Sequence, residues 1–172
     1  MYIEYFLIIV DYYKTLTRRI LLFEWLIPVS FALLLVSLNN KITFDNYKIF
    51  KDSSLNILGV LLGFSIAVIT IITTGSGKNI ENIKSIKTDF KLNNDFITLY
   101  DLILINFTYS VIVEIIIIVS CLVFPMISAY ILISHKVKLV LYSMMLILVV
   151  HILFLTIRNL TDFYLIVRSK AK

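Results

Sequence analysis

The chain has 172 residues, 60% of them hydrophobic and 16% charged, with a mean hydropathy of +0.96 and a formal net charge of +5. Soluble domains run nearer half apolar and a quarter charged, so this composition excludes a disordered or collagen-like chain and calls for a bilayer as second solvent. The single cysteine, Cys121, excludes an internal disulfide scaffold.

In chain order, residues 2–13 bring Tyr2, Tyr5, Phe6, Tyr12 and Tyr13 ahead of Lys14, Arg18 and Arg19. Aromatic rings beside bases suit a helix lying at headgroup level. A first span follows at about 20–38, with Glu24 one turn inside and placed to pair with Arg18 or Arg19. A second, at about 55–73, has no charge at all. Residues 75–101 form a charged loop, in which 79–90 read as an amphipathic helix carrying Ile80, Ile83, Ile86 and Phe90 on one face.

The next apolar stretch runs from Leu102 to Ser134, roughly 50 Å as a helix, against the ~30 Å and ~20 residues of one span. Two spans would need a tight turn at Pro125 and leave the second half too short. We read one tilted span at about 102–124, with residues 126–133 in the outer interface or in a kinked extension. The fourth span is 139–157, followed by a tail whose Leu160, Phe163, Tyr164 and Val167 again suit an interface.

The sequence therefore predicts an all-α membrane protein of one domain, residues 1–172, with four transmembrane helices and short interfacial helices. With the N-terminus inside, the inner segments carry eleven Lys and Arg and the outer loops five. That balance puts both termini and the 75–101 loop in the cytoplasm. The pI of about 9.3 fits anionic headgroups, because the bases are spread among loops; direct nucleic-acid binding is not expected.

Two features within the spans stand out. Gly59 and Gly63 form a GxxxG that Ala67, Thr70 and Thr74 extend along one face, the usual surface for close helix approach in lipid. Packing is its first meaning; its second is a pore wall around a symmetry axis, with Thr73 and Thr74 at the mouth. Asn106, Ser110 and Glu114 recur at i, i+4 and i+8. An ionised carboxylate at mid-depth costs ~2.5–3.5 kcal/mol on insertion scales, so Glu114 should face protein or water. His151 and Arg158 on the fourth span are its expected partners, either as ion pairs orienting the bundle or as a conducting and gating site.

Other signals fail. Gly75-Ser76-Gly77-Lys78 lacks the first glycine of a phosphate loop and reads as a helix stop. No HExxH, paired CxxC or Ser–His–Asp grouping occurs, so no enzyme, metal or cofactor is expected.

Leu61-Leu62-Gly63-Phe64-Ser65, then Lys78-Asn79-Ile80-Glu81-Asn82-Ile83-Lys84, then Tyr109-Ser110 with Glu114, together resemble small four-span proteins of bacterial phage-defence operons. The Hailong system's channel-forming effector and the Kiwa system's tetraspan subunit are similar in size and span count. The resemblance covers roughly residues 55–120. It implies a homo-oligomer, a tetramer in the first instance, that depolarises the inner membrane when infection is sensed, triggered by a partner protein or a nucleotide-derived ligand.

The leading expectation is an oligomeric ion channel whose axis is lined by the Gly59–Gly63–Ala67 face or by the Asn106–Ser110–Glu114 face. The alternative is a non-conducting membrane subunit that recruits a cytosolic partner through Ile80, Ile83, Ile86 and Phe90. A third is a small proton-coupled transporter using Glu24 or Glu114.

Overall fold

A computed structural model describes residues 3–37, 44–130 and 135–168. Its elements are α1 (Ile3–Lys14), α2 (Arg18–Ser37), α3 (Phe44–Thr74), α4 (Lys78–Ser85), β1 (Lys87–Leu92), β2 (Asp95–Thr98), α5 (Leu99–Tyr130) and α6 (His135–Arg168). Tyr2 and the expected boundaries at residues 39–41 and 131–134 lie outside the described residues. The side chains of Tyr5 and Val167 do as well.

Four helices are long and apolar enough to cross a membrane, over Arg18–Ser37, Lys48–Thr74, Leu99–Met126 and Lys136–Tyr164. α3, α5 and α6 each run past both ends of the spans read from the sequence at 55–73, 102–124 and 139–157. The third is a single helix running through Pro125, as the length argument requires. α2 packs on α6, α6 on α5, and α5 on α3, so α5 and α6 stand at the centre and α2 and α3 flank them. Burial follows this order: 44% of the apolar stretch in each central helix is covered, against 17% in α2 and 22% in α3. The flanking helices instead expose Leu22, Leu26, Leu33, Val60 and Ile71, apolar surface that lipid satisfies and water would not.

Local chemistry fixes the element ends. At α2, the Thr17 hydroxyl accepts from the Ile20 amide at 3.4 Å. α5 starts with a reciprocal cap: Thr98 Oγ1 accepts from the Asp101 amide at 3.2 Å, and Asp101 Oδ2 accepts from the Thr98 amide at 3.0 Å. α3 stops before Gly75, where a Cβ would lie 2.6 Å from the Ile71 carbonyl oxygen. Gly75→Ala is therefore expected to destabilise the fold by about 1–3 kcal/mol, the usual penalty for forcing a group into occupied space. Thermal unfolding in detergent measures it, and an unchanged midpoint would mean that the turn relaxes freely.

The expected amphipathic helix over residues 79–90 is corrected. α4 ends at Ser85, and residues 87–98 form an antiparallel hairpin in which Leu92 pairs with Asp95. Asn93 and Asn94 both take left-handed backbone, φ 50° and 73°, as a two-residue hairpin turn demands and as asparagine tolerates. Ile86 and Phe90 thus leave the helix. Ile80 and Ile83 remain on α4 but are turned into a cluster with Val68, Ile72, Ile103 and Phe107 of the chain itself. The tail after Arg158 is likewise no separate element: α6 runs on to Arg168, and Phe163 packs on the same cluster.

Candidate functional site: two buried carboxyls and an uncovered helix face

The first carboxyl, Glu24, is 2% exposed on α2. Sequence proximity suggests Arg18 or Arg19 as partner, and this is corrected: Arg158 of α6 places Nη1 2.6 Å from Glu24 Oε1. The helix turn carries Glu24 inward, whereas Arg18 and Arg19 remain exposed at the start of α2. The Tyr12 hydroxyl donates to Glu24 Oε2 at 2.5 Å. One oxygen of the buried carboxylate therefore meets a positive charge and the other a hydroxyl donor, the pairing that lets such a charge be buried.

Tyr12 also stacks on Tyr109 of α5, centroids 3.6 Å apart and rings 3° from parallel. Tyr109 Oη lies 3.2 Å from His151 Nε2, and His151 Nδ1 lies 3.2 Å from the Glu24 carbonyl oxygen. Because a carbonyl only accepts, the ring proton belongs on Nδ1, and Tyr109 then donates to Nε2. Trp25 stacks on the same imidazole at 4.4 Å. One polar network thus ties α1, α2, α5 and α6 together.

α1 is consequently a part of the bundle. Phe6, Leu7 and Val10 do lie exposed, as an interfacial helix requires, but Tyr12 on its other face is wholly buried. Burial pushes the Tyr12 phenol well above its ordinary pKa, the Arg158 guanidinium opposing and the Glu24 carboxylate reinforcing the shift. The hydroxyl accordingly remains a donor throughout the physiological range. Tyr12→Phe is expected to cost about 1.5–3 kcal/mol, the value of a hydrogen bond to a charged group. Chemical unfolding in detergent reads this loss, and a variant as stable as wild type would show that the contact contributes nothing.

The second carboxyl, Glu114, is wholly buried on α5. Its expected pairing with His151 and Arg158 is corrected, since both of those are engaged around Glu24. Glu114 Oε1 instead accepts from Ser110 Oγ at 2.9 Å. The hydroxyl of Ser65, 1% exposed on α3, is close enough to act on the same carboxyl, while Oε2 is left without a hydrogen-bond partner. Asn106, 5% exposed, completes the buried stripe, its Oδ1 also unpartnered. The Asn106–Ser110–Glu114 face therefore points into the protomer, with Glu114 toward α3, and is not a surface on which copies could meet.

The small-residue face has the opposite placement. Gly59, Gly63, Ala67, Thr70 and Thr74 are all exposed, and a Cβ at Gly59 or Gly63 would meet nothing within 4 Å. The covered side of α3 is Leu58, Ser65, Val68 and Ile72. Thr70, Thr73 and Thr74 each donate their hydroxyl proton to a carbonyl of their own helix, leaving oxygen lone pairs outward.

Sequence reasoning named Tyr109 and Ser65 only within the resemblance and gave neither a role, and it missed the inward role of Tyr12. It also missed the hairpin, whose signal was the alternation Thr88, Phe90, Leu92 leading into Asn93-Asn94.

The fold defines a multi-pass, all-α membrane protein. Comparison with family models, with curated proteins and with solved structures gives no match.

Proposed function

We propose that the protein is a homo-oligomeric ion channel of the bacterial inner membrane, with α3 lining the symmetry axis and both termini in the cytoplasm. The observation that carries this reading is the uncovered Gly59–Gly63–Ala67 face, which continues into the outward oxygens of Thr70 and Thr74. Small residues serve close helix approach in lipid, and among the described residues nothing lies within 4 Å of a Cβ at Gly59 or Gly63. A single four-helix protomer is too narrow to enclose an aqueous path, so conduction requires several copies, four in the first instance. The inward placement of Glu114 favours the α3 face over the α5 stripe as the pore wall. By its resemblance to phage-defence tetraspans, the channel acts as an effector that depolarises the membrane when a cytosolic partner or nucleotide-derived ligand engages the 75–101 region.

Assembly through this face is tested by Ala67→Cys in a Cys121→Ser background. Copies meeting at α3 bring the introduced thiols within disulfide reach. Mild oxidation in membranes is expected to give intermolecular bridges at position 67 and none at the covered Val68→Cys. Equal bridging at the two positions would remove α3 from the axis.

A further inference from the structure

The two intramembrane glutamates are treated differently by the fold, and the difference exposes a site. Glu24 has a guanidinium at 2.6 Å and a phenol on its other oxygen. Glu114, as deeply buried, has one serine hydroxyl on Oε1 and an empty Oε2. Among the described residues, no cationic side chain forms an ion pair with it. On α6, His151 is held by Tyr109 and the Glu24 carbonyl, and Arg158 by Glu24. On α3, Lys51 and Asp52 pair with each other at 3.4 Å. On α1, Tyr12 serves Glu24; on α4, Lys84 lies over the Tyr100 ring; in the hairpin, Lys91 lies over Phe96. Among the described residues, the Ser110 and Ser65 hydroxyls are the groups that act on the Glu114 carboxyl.

A bare carboxylate inside a bilayer is strongly disfavoured and needs a compensating positive charge. Because the described residues supply none, the charge comes from outside them. We propose that Glu114, Ser110 and Ser65 form a buried binding site for one monovalent cation, a proton or an alkali ion, between α5 and α3. The donor chemistry fits: the carboxyl supplies the charge, and the two hydroxyls supply neutral oxygens that a dehydrated alkali ion accepts as ligands and a proton accepts as hydrogen-bond partners. The unpartnered Oε2 is the atom to which the cation binds. This goes beyond the channel reading and holds whether or not the protein conducts. Since the site joins the covered side of α3 to α5, emptying it leaves a lone charge at that interface and loosens the packing there.

Infrared spectra of the purified full chain in lipid vesicles test the site directly. In choline buffer at neutral pH, wild type is expected to show a protonated carboxylic-acid band that shifts in deuterated water and is absent from Glu114→Gln. Sodium or potassium is then titrated in. Loss of the band identifies an alkali ion displacing the proton, and persistence identifies the proton as resident ligand; either result upholds the site. Ser65→Ala, which keeps the carboxyl, is expected to move the band or change the sodium response. Absence of any Glu114-dependent acid band in choline overturns the proposal, because the carboxyl would then be ionised with no cation bound. A band and a sodium response that are both indifferent to Ser65→Ala overturn the three-oxygen site.

Discussion

Arg158→Ala is expected to destabilise the protein by about 3–5 kcal/mol, because it strands the Glu24 carboxylate in the bundle with only the Tyr12 hydroxyl to stabilise it. The effect comes from the charge left behind more than from the attraction lost. Glu24→Met combined with Arg158→Met is therefore expected to recover most of the loss, since an apolar pair of similar length leaves no uncompensated charge. Adding Tyr12→Phe to that pair removes the last orphaned polar group. Unfolding in detergent of wild type, Glu24→Met, Arg158→Met and the double variant gives the coupling energy of the pair. A single Arg158→Ala that unfolds like wild type would show that water reaches Glu24 and that the network does not hold α2 to α6.

Gly63→Leu is expected to leave the protomer folded and prevent its assembly. A Cβ at Gly63 meets nothing within 4 Å in the protomer, so the larger side chain has room there and the helix gains a better former. Between copies the same side chain separates two backbones that the glycine lets touch. Loss of ~1.4 kcal/mol of association at each interface already weakens it tenfold, and a ring carries several interfaces. Light scattering of detergent-solubilised protein is expected to give an oligomer for wild type and a monomer for Gly63→Leu. Gly63→Leu with unaltered mass and unaltered flux would remove the small-residue face from the assembly.

The four spans were legible because crossing a bilayer imposes a length and a hydropathy that few other structures share. The ends were less so. Apolar counting senses the hydrocarbon core alone, whereas α3 begins at Phe44 and α6 continues to Arg168 with polar residues in helical conformation. Glu24 and Glu114 were both legible as residues that must face protein, but their partners were not. A sequence shows what lies within two turns, Arg18 and Arg19, and not that α6 lies against α2 and delivers Arg158. The 79–90 segment misled for a different reason: Ile80, Ile83, Ile86 and Phe90 satisfy a helical period, while Thr88, Phe90 and Leu92 satisfy a strand period in overlapping residues. The left-handed pair Asn93-Asn94 decides between them. Tyr12 looked interfacial because an aromatic beside bases suits a headgroup as well as it suits a buried carboxylate.

Ion flux from proteoliposomes tests the central claim, conduction through copies assembled at α3, most directly. With extract of phage-infected bacteria enclosed to supply the trigger, wild-type protein is expected to dissipate an imposed potassium gradient, and Gly63→Leu, incorporated to the same density, is not. Equal flux from the two proteins, or an intact gradient with wild type, would contradict it.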